Sequence, residues 1–223
     1  MPSKEKIALF DFCETIANFQ TADAYVRYVL SHQRPAHPLY GRIYKAMNRV
    51  HLLGIIRRLF PRFVVDKKLL LLQLRGMQRA DLEKLAKDYY EEKIKPNMIE
   101  PVLKELVDKQ KSGYKIYVVS AGYSIYLRYF AEEYHIDGLI ASTLKFDGEK
   151  FKGWLQGHDC MYEHKIAYIK GRINCSDRSE WFAYSDSETD LPMLSLVGNP
   201  VAISKDKPQE WAELNNINQL IWK

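Results

Sequence analysis

The chain has 223 residues, 47% hydrophobic and 27% charged, a balance that excludes disorder and suits one large domain or a core with an inserted subdomain. Its formal net charge of +5 is mildly basic and falls short of the strong patch of a nucleic-acid binder. No window approaches about 18 uninterrupted apolar residues, so no membrane span is expected.

The first element is "KIALFDF". The run Ile7 to Phe10 is continuously apolar, not alternating, and reads as a buried strand of a parallel sheet that ends at Asp11. The preceding lysines do not make a signal peptide, because Asp11 interrupts a run already too short for one. "TADAYVRYVLSH" has capping residues Thr21 and Asp23 near its start and apolar residues at helical spacing. "RPAHPL" breaks the pattern with two prolines. "LYGRIYKAMNRVHLLGIIRRLF", "DKKLLLLQLRGM" and "RADLEKLAKDYYEEKI" read as further helices.

After residue 95 the character changes. "MIEPVLKELVDKQKSG" is a helix stopped at Gly113, and "YKIYVVSAG" is a strand. "YSIYLRYFAEEYHI" is a helix and "GLIAS" a short strand. "TLKFDGEKFKGWLQG" alternates around Asp147-Gly148 as a hairpin. "YEHKIAYIKGRI" is a helix, "EWFAYSDS" a strand, "ETDLPMLSLV" a short helix and "NPVAIS" a strand. This alternation predicts an α/β fold with a doubly wound parallel sheet. Residues 1–17 and 96–223 form the core, and 18–95 are a helical insertion.

Ligands of such sheets bind at the carboxyl ends of the strands. Those ends deliver Asp11, Cys13 and Thr15 from the first strand, Ser120 from the second, and Asp186 with Asp190 from a later one. Lys165 starts the helix before that last strand. Carboxylates sharing a pocket repel and raise one another's pKa. A hard divalent cation removes that penalty, and Mg²⁺ suits one or two carboxylates plus waters and a phosphate. The residues therefore read as Mg²⁺-dependent phosphoryl chemistry with a carboxylate nucleophile.

Four motifs in order carry a resemblance. "DFCET" matches Asp-x-Asp-x-Thr except at its third position, and "VVSAG" is a strand ending in Ser. "GHDCMYEHK" places a Lys after G-x-x-C, and "YSDSETDLPML" matches GDS-x-x-D-x-P-M-L. The chain resembles the haloacid dehalogenase superfamily, in its phosphoserine-phosphatase-like branch with a helical cap after the first motif. "LRGMQRADLEKLAKDYYEEKIKP" is similar to the end of that cap. The resemblance implies a Rossmann-like core and Asp11 as the nucleophile that forms an aspartyl-phosphate. It implies a metal site of Asp11, the backbone carbonyl of Cys13, Asp186 and Asp190, with Asp190 fixing a metal-bound water or orienting Lys165. Ser120, Ala121 and Lys165 would bind the phosphoryl group, and Thr15 would support the loop.

Cys13 stands where the family's acid/base Asp belongs. General acid–base help is worth roughly 10²–10⁴-fold. A thiol with pKa near ~8.5 donates a proton but positions water poorly, and beside Asp11 it is expected to stay protonated. Three readings stay open: a slow phosphatase, a base supplied elsewhere (Glu14, a cap residue or the substrate), or hydrolysis weakened in favour of transfer or binding.

Nine positions after the nucleophile, the resembling phosphoserine phosphatases keep an acid for the serine ammonium. Gln20 stands here, so a polyol, sugar or organic-acid phosphate is expected rather than phosphoserine. Arg57 and Arg58 fall near that branch's carboxylate-binding arginine. Residues 20–97 hold sixteen Lys or Arg against seven Asp or Glu, a basic lid that draws in anions or simply a solvated face. The expected partner is a small phosphorylated metabolite, with no nucleic acid. Membrane contact is the lesser option, which "HLLGIIRRLFPRFVV" keeps open, and a homodimer would use the same apolar residues. Cys13, Cys160 and Cys175 have neither zinc nor disulfide spacing, so a reducing, cytoplasmic location is expected. Cys160 reads as packing, His158 and His164 as surface positions.

Overall fold

In the computed structural model, which describes residues 5–35, 37–51, 65–173 and 177–223, the first apolar run forms β1 (Ile7–Phe10), buried throughout. Side chains alternate across a strand, so Ala8 and Phe10 join one core cluster while Ile7 and Leu9 join another on the opposite face. An unbroken apolar run is what a strand covered on both faces requires.

β1 pairs in parallel with β2 (Lys115–Tyr123) on one side and β6 (Phe182–Ser185) on the other. β3 (Gly138–Ser142), β7 (Asn199–Lys205) and β8 (Asn218–Trp222) complete a six-stranded parallel sheet in the order β3-β2-β1-β6-β7-β8. The winding reverses at β1, which puts the carboxyl ends of β1, β2 and β6 beside one another. β8, and the short helix at Glu210–Leu214 before it, are absent from the sequence-based reading. "NQLIW" is too short and too mixed to stand out, and it pairs along one edge only, with β7. β4 (Leu144–Asp147) and β5 (Lys150–Leu155) form the expected hairpin, which closes through Gly148 and Glu149, one residue beyond Asp147-Gly148.

The chain leaves the sheet after β1 and returns before β2 through a two-stranded neck. There Asn18 N–H donates to the Asn97 carbonyl (2.9 Å) and Ile99 N–H to that of Ile16 (2.8 Å). Between these points run α1 (Thr21–His32), α2 (Pro38–Arg49), α3 (Val65–Gln73) and α4 (Arg79–Tyr89). Pro38 sits in the first turn of α2, where its missing N–H costs nothing. Then come α5 (Glu100–Lys111), α6 (Ser124–Glu133) after β2, α7 (Tyr162–Arg172) before β6 and α8 (Leu191–Leu194) after it.

The inserted helices share the buried cluster of the sheet. Tyr25 of α1, Tyr89 of α4 and Tyr126 of α6 meet with ring centroids 5.2 to 5.4 Å apart. Such pairs each add about 0.5–1.5 kcal/mol beyond area burial. Their hydroxyls are satisfied: Tyr25 donates to the Leu82 carbonyl and Tyr89 to that of Thr21. Tyr25 and Tyr28 are buried, whereas Tyr40 and Tyr44 are half-buried. Phe10 stacks on Tyr184 at 4.2 Å.

Leu9, at 0% exposure in the central strand, tests this architecture. Leu9→Ala should lower unfolding free energy by about 2–5 kcal/mol in a urea titration. A loss below about 1 kcal/mol would place β1 outside the core.

Candidate active site

Asp11 N–H donates to the Tyr184 carbonyl (2.9 Å), extending the β1–β6 pairing by one residue before the chain turns. Ile16 and Ala17 N–H both close on the Phe12 carbonyl, and within this turn Glu14 takes the left-handed conformation, φ 58°. On the neighbouring strand the register with β3 slips between Ser120 and Tyr123. This irregularity lets Gly122 N–H donate to Ser120 Oγ (3.0 Å). A Cβ at Gly122 would lie 2.8 Å from the Tyr126 hydroxyl, so only glycine fits without repacking.

Lys165, in the first turn of α7, bridges two strand ends. Its Nζ donates to Asp11 Oδ1 (2.8 Å) and to Asp190 Oδ2 (2.6 Å), and Ser185 Oγ donates to the same Asp190 oxygen (2.7 Å). All three charged groups are buried. The two carboxylates outweigh the desolvation of the ammonium and hold Lys165 protonated, above its ordinary pKa. Burial pushes the Asp11 carboxyl up to about 6; Lys165 opposes the rise and Asp190 adds to it.

Asp186 lacks such a cation. Thr15 Oγ donates to its Oδ1 and accepts its backbone N–H, both at 3.0 Å. Burial first, then the charges of Asp11 and Glu14, push its carboxyl up to about 7. Three carboxylates thus share one ammonium. Hard oxygen donors with surplus negative charge fit a hard divalent cation such as Mg²⁺, which takes one or two carboxylates and keeps waters. Among the described residues no three His, Cys, Asp or Glu side chains converge as a ready-made metal cluster. The Asp190 carboxylate is turned to Lys165 and Ser185.

Cys13 Sγ lies 3.0 Å from Thr21 Oγ, which is 2.8 Å from the Tyr126 hydroxyl; Ser120 Oγ is 4.0 Å from the sulfur. Burial, then the nearby Asp11 carboxylate, push the thiol up to about 11, so it is neutral at physiological pH. Gln20, just before α1, donates its side-chain amide to Glu14.

These groups line one cavity of about 470 Å³, which includes Asp11, Cys13, Glu14, Gln20, Ser120, Ala121, Lys165, Asp186 and Asp190. Thr15 stands behind Asp186. Arg57, Arg58 and Cys175 lie outside the described residues. Cys160 is buried and packs against the Ile140 carbonyl. His158 and His164 are exposed and stack on each other at 4.0 Å.

The sequence reading passed over Lys67 of α3. It is 6% exposed, lines the cavity, and donates to the Ala121 carbonyl (2.8 Å) and to both oxygens of Asp159 (2.8 and 2.9 Å), which also accepts from Ser142. The signal was present: Lys67 shares a helix face with buried Leu70 and Leu71, three and four residues on. A lysine on an apolar stripe needs a buried partner.

The haloacid dehalogenase-like hydrolase family model matches residues 8–195, and the chain belongs to that family. Membership supports reading this site as that of a phosphoric monoester hydrolase. The fold is shared with a protein of unknown function from Bordetella pertussis Tohama I, with a TM-score of 0.80, 18% identity and coverage of 98% of this chain and 99% of that one. A phospho-aspartyl intermediate analogue of phosphoserine phosphatase matches at TM-score 0.57 and 22% identity over 90% of this chain and 87% of its own. A phosphoserine phosphohydrolase-like protein from Francisella tularensis subsp. tularensis SCHU S4 matches at 0.62 and 16% over 96% and 94%. No curated protein matches the chain.

The raised carboxyls set a pH dependence. In the unfolded chain Asp186 ionises near 3.8, but in the folded protein only near 7. Between those values the folded state holds a proton the unfolded state has lost, so metal-free stability should fall from about pH 4 to pH 7 and then level. Asp186→Asn should remove a share of order 1–3 kcal/mol of that fall, and Mg²⁺ should stabilise the wild type more at pH 8 than at pH 5. Thermal melts across pH check both; an unchanged profile in Asp186→Asn would contradict the assignment.

Proposed function

We propose that the protein is a Mg²⁺-dependent phosphatase of a small phosphorylated metabolite, working through an aspartyl-phosphate at Asp11. The observation that carries this reading is Lys165 clamped between Asp11 and Asp190 beside the unneutralised Asp186. Asp11 Oδ attacks phosphorus, the P–O ester bond breaks, and the leaving oxygen takes a proton. Lys165 orients Asp11 and, with Ser120 and the backbone at Ala121, holds phosphoryl oxygens. Asp11, Asp186 and the Cys13 carbonyl would hold Mg²⁺, which would supply charge neutralisation on the phosphoryl group when bound. Residues 18–95 act as a cap over the site. Glu14, Asp23 and Asp66 line the cavity with neutral Gln20. Carboxylates accept hydroxyl protons and repel a second acid, which favours a polyol or sugar phosphate over an organic-acid phosphate.

The thiol sets the rate. At a pKa of about 11 Cys13 can protonate an alkoxide, but the thiolate left behind is buried beside the Asp11 carboxylate. As a weak hydrogen-bonding group it also positions water poorly. Hydrolysis of the phosphoenzyme is therefore the slow half-reaction, which also favours a second reading: transfer to an acceptor hydroxyl.

A panel of phosphomonoesters with Mg²⁺ tests this. The wild type should release alcohol in a burst near one equivalent per enzyme, then turn over slowly. Cys13→Asp should raise steady-state phosphate release by roughly 10²-fold or more, and Asp11→Asn should abolish both phases. Turnover that survives Asp11→Asn removes the nucleophile assignment. No burst with fast wild-type turnover removes the role given to Cys13. An acceptor that speeds alcohol release without free phosphate establishes transfer.

A further inference from the structure

One helix of the insertion divides its residues sharply. On α2, Tyr40, Gly41 and Tyr44 face inward. Tyr40 accepts from Arg75 (3.2 Å) and Tyr44 from Arg27 (3.1 Å). A Cβ on Gly41 would meet Gln73 of α3 at 3.0 Å, so this face seats closely on α3. The opposite face carries Leu39, Ile43, Ala46 and, just past the helix end, Val50, at intervals of four, three and four residues, which is one helical stripe. All four are exposed, Leu39 at 62% and Val50 at 65%. Exposed apolar residues are unremarkable singly; aligned on one helix face they mark a surface that meets something.

Charge says what. Arg42, Lys45 and Arg49 flank the stripe along one side of the helix and are exposed. The helix has no acid, and from residue 24 to 65 the chain has eight Lys or Arg and no Asp or Glu. We propose that α2 docks this protein on an anionic lipid bilayer, with Leu39, Ile43 and Val50 entering the headgroup boundary and Arg42, Lys45 and Arg49 pairing with lipid phosphates. An apolar stripe with basic flanks is the pattern of helices that lie in the membrane interface. Each cation near such a surface strengthens binding about fivefold. A nucleic acid would be met by the cations but has no use for the stripe. A second copy in two-fold contact would bring two sets of three cations together with no carboxylate on the helix to pair them. The proposal stands independently of the phosphatase reading.

The test is co-sedimentation of the full chain with vesicles of phosphatidylcholine alone and of phosphatidylcholine mixed with phosphatidylglycerol. The protein should sediment with the mixed vesicles only, less so as salt rises within the screening range. Arg42→Gln/Lys45→Gln/Arg49→Gln should weaken binding by about 10²-fold and flatten the salt dependence. Leu39→Gln/Ile43→Gln/Val50→Gln should weaken it to a similar extent with little change in melting temperature, since Leu39 and Val50 are mostly in water and Ile43 is 38% exposed. Equal binding to both vesicle types, or wild-type binding by both triple variants, overturns the proposal. So does a wild-type dimer in gel filtration that the apolar variant splits, which assigns the face to a second copy. Retention on RNA that is lost only in the charge variant assigns it to nucleic acid.

Discussion

The ion cluster of Lys165 with Asp11 and Asp190 is the constraint around which this protein is arranged. Three charges are taken out of water, a cost recovered only when geometry is close and the remaining lone pairs are satisfied. Here both contacts are short, and Ser185 supplies a further hydrogen bond to Asp190. The three residues come from β1, the start of α7 and the turn after β6. The cluster can form only if the sheet is wound in the observed order. Loss of the lysine would leave two buried carboxylates facing each other, so fold and site depend on the same ammonium.

Beside that cluster the thiol has an electrostatic logic. A carboxylate at position 13 would be one more negative charge in a pocket that already holds Asp11, Asp186 and Asp190. Cys13 is instead part of a neutral hydrogen-bonded row with Thr21 and Tyr126, within the tyrosine cluster that joins α1 and α4 to α6. The site gains cohesion with the inserted helices and loses a fast proton carrier.

The inserted helices meet the core through several polar contacts, among them the neck and Lys67. The neck pairs Asn18 with Asn97, and Lys67 reaches the Ala121 carbonyl and Asp159 across the cavity rim. Lys67 therefore steadies the peptide following Ser120 while forming part of the cavity wall. On the far side of α3, α2 turns its apolar stripe and its cations to solvent, so the same insertion lines the cavity and carries the exposed stripe.

Much of this is legible in the sequence. Three apolar runs leading to Asp11, Ser120 and Asp186, with a helix start at Lys165, declare a parallel sheet and a phosphoryl site, because continuous apolar strands and polar strand ends are local properties of the chain. What local pattern does not hold is pairing across distance. β8 was missed because "NQLIW" opens on two polar residues and holds no longer apolar run to mark it, and only its pairing with β7 makes it a strand. Lys67 was missed because its value lies in Asp159 and Ala121, residues 92 and 54 positions away. Asp190 was left between two roles in the sequence, and only the folded chain turns it onto Lys165. The sequence by itself determined the fold class and the chemical groups of the site. The tertiary structure decided that Asp11 and Asp190 hold the lysine, that Asp186 lies buried beside them without such a cation, and that the thiol is buried and neutral, since burial and charge proximity exist only once the chain is folded.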